Sequence, residues 1–133
     1  MLTQIDPKLS ALADALSVPD GGFSIVAATG EYVTSGYAVS IYPERERIIT
    51  GGVTGEDLAD YLREHADALT LPGRVFGGWR DPASGAAFLD VSVTTRDLPT
   101  ALALARAHGQ LAVFDFAALT SISTDAAGLP AAA

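Results

Sequence analysis

The chain has 133 residues, no cysteine, 49% hydrophobic residues and a formal net charge of −8, from 8 basic and 16 acidic side chains. That length predicts one domain with a single core, and the lack of Cys excludes disulfides, thiolate metal ligands and thiol nucleophiles and fits a cytosolic setting. The acidic balance argues against direct DNA or RNA binding, which needs a positive patch, and no apolar run is long enough to cross a bilayer.

The first stretch carries an early Asp and Pro and no basic region, so a secretory signal is not expected. Asp6 can cap a helix that has Pro7 in its first turn and a stripe of Leu9, Leu12, Ala13 and Leu16, ending before Pro19. Asp20-Gly21-Gly22 reads as a turn. Phe23–Ala28 is apolar and β-prone, Thr29-Gly30 turns the chain, and Glu31–Thr34 can pair back. Tyr37, Val39 and Ile41 alternate with Ala38, Ser40 and Tyr42 as in a strand. Glu44-Arg45-Glu46-Arg47 is a charged loop that could also set register at an assembly contact, and Ile48-Ile49 returns to the core. Thr54 and Asp57 have capping-box spacing. The helix they start carries Leu58, Tyr61, Leu62, His65 and Leu69 on one face.

The stretch from Gly73 to Phe116 organises the rest, reading as strand, turn, strand, helix, strand. Asp81-Pro82-Ala83-Ser84-Gly85 joins Val75-Phe76 to Ala87–Val93. Ala87, Leu89, Val91 and Val93 share one face of the second strand, and Phe88, Asp90 and Ser92 the other. Asp97 and Pro99 open a helix that Gly109 stops. Leu111–Phe116 is largely apolar on both faces, as in a central strand. These elements predict an α+β domain. Its mixed or antiparallel sheet of about four to six strands would carry two main helices on one face, with a short N-terminal helix in addition. The expected divisions are an N-terminal helix over 1–19, the α+β domain over 20–116 and an aperiodic tail over 117–133. Two helices already cover the sheet, so the Leu9, Leu12, Leu16 stripe is expected to dock on a second copy or another protein.

Thr34–Glu46, Phe76–Ser92 and Ala101–Phe116 resemble a loosely defined set of small proteins and domains from actinobacterial phages and mobile elements. Gly78-Trp79, Leu89-Asp90-Val91-Ser92 and Gln110-Leu111-Ala112 are its recurring points. The resemblance implies a phage or prophage setting, in the host cytoplasm or the virion, and no activity. Arg supplies 7 of the 8 basic residues, and this usage, with the abundant Ala, accords with a GC-rich genome.

Two functional readings follow. In the first, the protein is non-catalytic and binds a virion or host protein, or assembles with itself. Trp79, Arg80, Tyr37 and Tyr42 are its candidate contacts, because Trp, Tyr and Arg dominate binding hot spots; Trp79 could equally be a core residue with its N–H satisfied. In the second, Asp90 and Asp115 converge in a pocket for a small ligand or a hydrolytic reaction, unless each only bonds backbone or a nearby Arg such as Arg80 or Arg106. His65 reads as half-buried packing and His108 as an imidazole at a helix C-terminus. Neither has metal-ligand spacing, and no nucleophile elbow is present. Gly77-Gly78 lacks the Lys and helix of a phosphate cradle and reads as a bulge or a close backbone approach. No cofactor and no metal are expected.

Overall fold

The computed structural model describes residues 6–124. Asp6–Lys8 forms a 3-10 turn leading into α1 (Leu9–Ala15). β1 (Gly22–Val26), β2 (Tyr37–Val39), β3 (Arg47–Ile49), α2 (Gly55–Glu64), α3 (Ala66–Leu69), β4 (Arg74–Arg80), β5 (Ala87–Thr95), α4 (Leu98–Ala107), β6 (Ala112–Asp115) and β7 (Thr120–Ser123) follow in order. The fold is α+β. Among the described residues seven strands form one antiparallel sheet in the order β1-β4-β5-β2-β6-β7, with β3 also paired to β5.

Local chemistry sets the starts of α2 and α4 where the sequence places them. It does not set that of α1, which begins at Leu9 with Lys8 as its N-cap and no side-chain cap, after the 3-10 turn that holds Asp6 and Pro7. Thr54 Oγ1 accepts the Asp57 backbone N–H at 3.1 Å while Asp57 accepts the Thr54 N–H at 2.9 Å, a reciprocal capping box. Asp97 accepts the Thr100 N–H at 2.8 Å and so caps α4. The single expected helix through Leu69 is broken at His65 into α2 and α3. Two departures concern the ends of the chain. The stretch expected to be an aperiodic tail contains β7, which pairs with β6 from Thr120 opposite Asp115 to Ser123 opposite Ala112. The N-terminal helix is core, not a partner surface: Leu12 and Leu16 are completely buried and Leu9 packs against the same cluster. The reason is that α1 lies on α2 and β1, so its stripe is covered within the domain.

β5 is the spine. Along one side it pairs with β4 from Arg74 opposite Val93 to Arg80 opposite Ala87. Along the other it meets two short strands end to end: β2, with Val39 opposite Val93, and β3, with Arg47 opposite Leu89. Residues 40–46 leave the ladder between them, where only Asp90, Val91 and Ser92 stand opposite. That excursion is tied down on the helix side. Tyr61 Oη donates to the Arg45 carbonyl at 2.7 Å, and Arg45 grips Asp67 through two bonds of 3.0 and 2.9 Å. Arg45 Nη1 also donates to His65 Nδ1 at 3.1 Å, so neutral His65 carries its proton on Nε2. Burial, then the neighbouring guanidinium of Arg45, holds the His65 pKa below its ordinary value.

Strand alternation sorts the side chains between the faces. Phe23, Ile25, Phe76, Ala87, Leu89 and Val91 point toward α1, α2 and α3 in the larger core cluster. Tyr61 stacks on Phe76 with ring centroids 5.5 Å apart, and Phe23 meets Phe76 edge-on at 5.1 Å. Further along the same face Val39, Val93 and Val113 pack under α4, whose Ala101, Leu102 and Ala105 are buried. Gly78 belongs to this packing, since a Cβ there would lie 2.7 Å from two Phe23 ring carbons. Gly78→Ala is therefore expected to cost about 1–3 kcal/mol through overpacking; urea denaturation followed by circular dichroism measures it, and an unchanged midpoint would contradict this packing.

Candidate functional site

The other face of the sheet carries no helix among the described residues. Register places Gly22, Trp79, Phe88 and Ile48 in one row across β1, β4, β5 and β3. Trp79 is 44% exposed and Ile48 55% exposed. Phe88 lies between them, its ring centroid 6.1 Å from that of Trp79. The indole is fixed rather than loose: its Nε1–H donates to Asp20 Oδ1 at 2.7 Å. Asp20 itself sits in the turn before β1 with φ of 63°, its backbone N–H bonded to the Arg80 carbonyl at 2.9 Å. A held aromatic with one polar edge satisfied has little rotamer entropy left to lose on binding.

The next row holds a carboxylate. Asp90 faces Gly77 across the β4–β5 ladder, and a Cβ on Gly77 would stand 2.6 Å from Asp90 Oδ1. The paired glycines thus serve opposite faces, Gly78 making room for the Phe23 ring and Gly77 for the Asp90 carboxylate. No bulge interrupts this ladder, so the close approach is the reason for both. Burial, with the charge of Glu46 adding to it, pushes the Asp90 pKa up from 3.8 to about 6. Glu46 is exposed at the end of the 40–46 excursion, in the position that continues the β3 register opposite Asp90. This face therefore combines an apolar row with Asp20, Glu46 and Asp90 near it.

The sequence candidates do not assemble into one surface. Arg80 neighbours Trp79 in the chain but points to the helix side, 9% exposed, where Nε donates to the Leu16 carbonyl and Nη1 to the Gly85 carbonyl, each at 2.7 Å. Tyr37 packs with the α4 cluster. Tyr42 packs against the larger core cluster; its Oη accepts from Arg74 Nε at 2.9 Å, and guanidinium groups of Arg45 and Arg74 lie 5.7 and 5.6 Å from its ring centroid. Leu9, Leu12 and Leu16 are in the core, as described. Phe88, Ile48, Asp20 and Glu46 complete the site that sequence reasoning missed. The alternation of Phe88 with Asp90 was visible, but the β3–β5 register that brings Ile48 beside Phe88 was not.

Asp90 and Asp115 do not converge. Thr95 pairs with Tyr37, which pairs with Asp115, so Asp115 belongs to the helix-side parity and Asp90 to the other. Five residues along β5 and two strand spacings put them roughly 15–20 Å apart. Asp115 instead accepts the backbone N–H groups of Ala117 and Ala118 at 3.0 and 3.2 Å, closing the turn into β7. A shared pocket around these two carboxylates is thereby overturned. His108 is the exposed C-cap of α4. Among the described residues no group of three or more His, Asp or Glu is placed to hold a metal ion, and no helix is long and apolar enough to cross a membrane. Searches against protein-family models, curated proteins and solved structures found no match.

Proposed function

We propose that this is a non-catalytic binding protein of a phage or mobile element, and that the Trp79–Phe88–Ile48 row seats a partner protein. One observation carries the reading: three large apolar side chains lie together on a sheet face that no helix among the described residues covers, with the Trp79 indole held in place by Asp20. Isolated exposed apolar residues are ordinary, whereas a contiguous group with a rigid Trp marks an interaction surface. The carboxylates near the row specify the partner's chemistry. Asp20, Glu46 and Asp90 would repel a second copy presenting the same face, and the whole chain carries −8. The complementary occupant is a protein segment with an apolar anchor flanked by Arg or Lys. The setting in phages or mobile elements rests on the sequence resemblance alone.

Trp79→Ala should weaken partner binding by at least about 2 kcal/mol, as expected for a central anchor, with little change in melting temperature because the indole is exposed on one side. Affinity capture from an actinobacterial host lysate and from virion proteins, run in parallel with wild type, Trp79→Ala and Ile48→Glu, checks this. A protein captured by wild type in a salt-sensitive manner and lost with both variants supports the reading; identical capture by all three would sink it.

A further inference from the structure

A separate cleft opens on the helix side, away from the Trp79 face, between the end of α1, the β3–α2 loop and the β4–β5 turn. Its volume is about 440 Å³, within the size range of small-ligand pockets. Pro19, Val53 and Pro82 give it apolar walls, Gly51 and Gly52 form an open side, and Arg80 lines it. A Cβ added at either of these glycines would meet nothing within 4 Å.

Arg80 is the unusual part. Its side chain is buried, two of its N–H donors go to backbone carbonyls of Leu16 and Gly85, and no carboxylate among the described residues lies within ion-pair distance. Those two bonds orient the guanidinium without neutralising it. A buried cation is ordinarily paired, and the planar fork keeps further donors that suit a carboxylate. The adjacent Asp81 does not serve as the counter-ion. Its carboxylate accepts from the Ala83 N–H and the Ser84 hydroxyl, both at 2.9 Å, within its own turn. Those bonds, the Ala83 N–H first, hold its pKa below the usual carboxylate range and keep it charged. One cation beside a fixed anion suits a monoanion better than a phosphate dianion, and the apolar walls suit a hydrocarbon tail.

We infer that the cleft between α1, the β3–α2 loop and the β4–β5 turn binds a small organic carboxylate, its carboxylate on Arg80 and its apolar tail against Pro19, Val53 and Pro82. The class covers a free acid and the carboxy terminus of a peptide. The test is a titration of the full chain, followed by ¹H–¹⁵N shifts of the Gly51, Gly52 and Gly85 amides. The probes are butyrate, benzoate, a short apolar peptide with a free C-terminus, the corresponding amides, and inorganic phosphate.

Saturable shifts at these glycines with the carboxylates, at least tenfold weaker with the amides and with phosphate, are expected. Tighter binding of the peptide than of the free acids would identify a chain terminus as the source, and the reverse a free acid; either supports the site. Arg80→Gln should abolish the response. Because that change also removes two structural bonds, Gly52→Leu provides a second variant. It leaves Arg80 in place, puts a bulky side chain on the open side of the cleft, and should weaken binding at least tenfold with the fold intact. No saturable shift with any carboxylate, equal response to acids and amides, or unchanged binding in Gly52→Leu would each overturn the assignment. None of these readouts depends on the Trp79 face.

Discussion

Leu12→Asp is expected to unfold the domain, or leave it on the edge of unfolding. Leu12 is fully buried in the cluster that also holds Leu16, Leu58, Tyr61 and Phe76. Its burial contributes about 1.5–3 kcal/mol, and placing an unpaired carboxylate there costs several kcal/mol more before the group protonates or the helix detaches. The sum, on the order of 4–6 kcal/mol, is comparable to the whole stability of a small domain at about 5–15 kcal/mol. Leu12→Ala should follow the same direction at about 2–5 kcal/mol. Denaturant titration by circular dichroism decides the matter. A Leu12→Asp protein with wild-type midpoint would show that α1 can leave the core, and would restore the view of it as a docking helix.

Asp90→Asn should act in the opposite sense, stabilising the protein at neutral pH. The folded-state pKa of Asp90 is raised from 3.8 to about 6, so the folded protein holds a proton that the unfolded chain has released between those values. The protonated group's contribution is fully present below pH 3.8 and is lost as pH rises through about 6. At pH 7 the buried carboxylate then costs on the order of 2–3 kcal/mol, and Asn, which carries no charge, escapes that cost.

The stability difference between variant and wild type should therefore be small near pH 3.8, grow through pH 6 and level off above it. Asp67, Asp81 and Asp97 have lowered pKa values from their hydrogen bonds, the Arg45 side chain for Asp67, the Ala83 N–H for Asp81 and Thr100 for Asp97. Their contributions are lost as pH falls, but they are common to both proteins and cancel. A pH-independent difference would show that Asp90 is not held out of water by its surroundings. The same substitution should weaken a basic partner on the Trp79 face. A carboxylate kept at a cost to stability on the proposed interaction surface is the trade that the binding proposal expects of Asp90.

Much of this architecture was legible because it is written in short-range chemistry. Thr54 with Asp57 and Asp97 with Thr100 bond within one helical turn, so their spacing alone marks the helix starts. The period-two alternation through Ala87–Val93 correctly separated the core residues Leu89 and Val91 from Phe88 and Asp90. Residue type narrowed Gly77-Gly78 to a bulge or a close backbone approach, and the unbroken β4–β5 ladder decided for the approach. Which group approaches each glycine was not legible, because Phe23 reaches Gly78 from a strand distant in sequence and Asp90 reaches Gly77 only in the particular register of the β4–β5 hairpin.

The long-range decisions belong to the tertiary structure. β3 is three residues long and lies forty residues before its partner in β5 (Arg47 opposite Leu89, Ile49 opposite Ala87), so no local pattern could place Ile48 beside Phe88. A strand's parity likewise says that two side chains differ in face only once its pairing is known. That is why Asp90 and Asp115, both on strands among apolar neighbours, read as a possible pair and lie on opposite faces. Trp79 and Arg80 show the same effect over one peptide bond, the first on the open face and the second in the cleft on the helix side. By itself the sequence determined the caps of α2 and α4, the amphipathic faces and the α+β class, because these depend on contacts within a few residues. The tertiary structure alone decided that α1 is core, that β7 completes the sheet, and which polar groups share a surface, because burial and register are properties of the assembled chain.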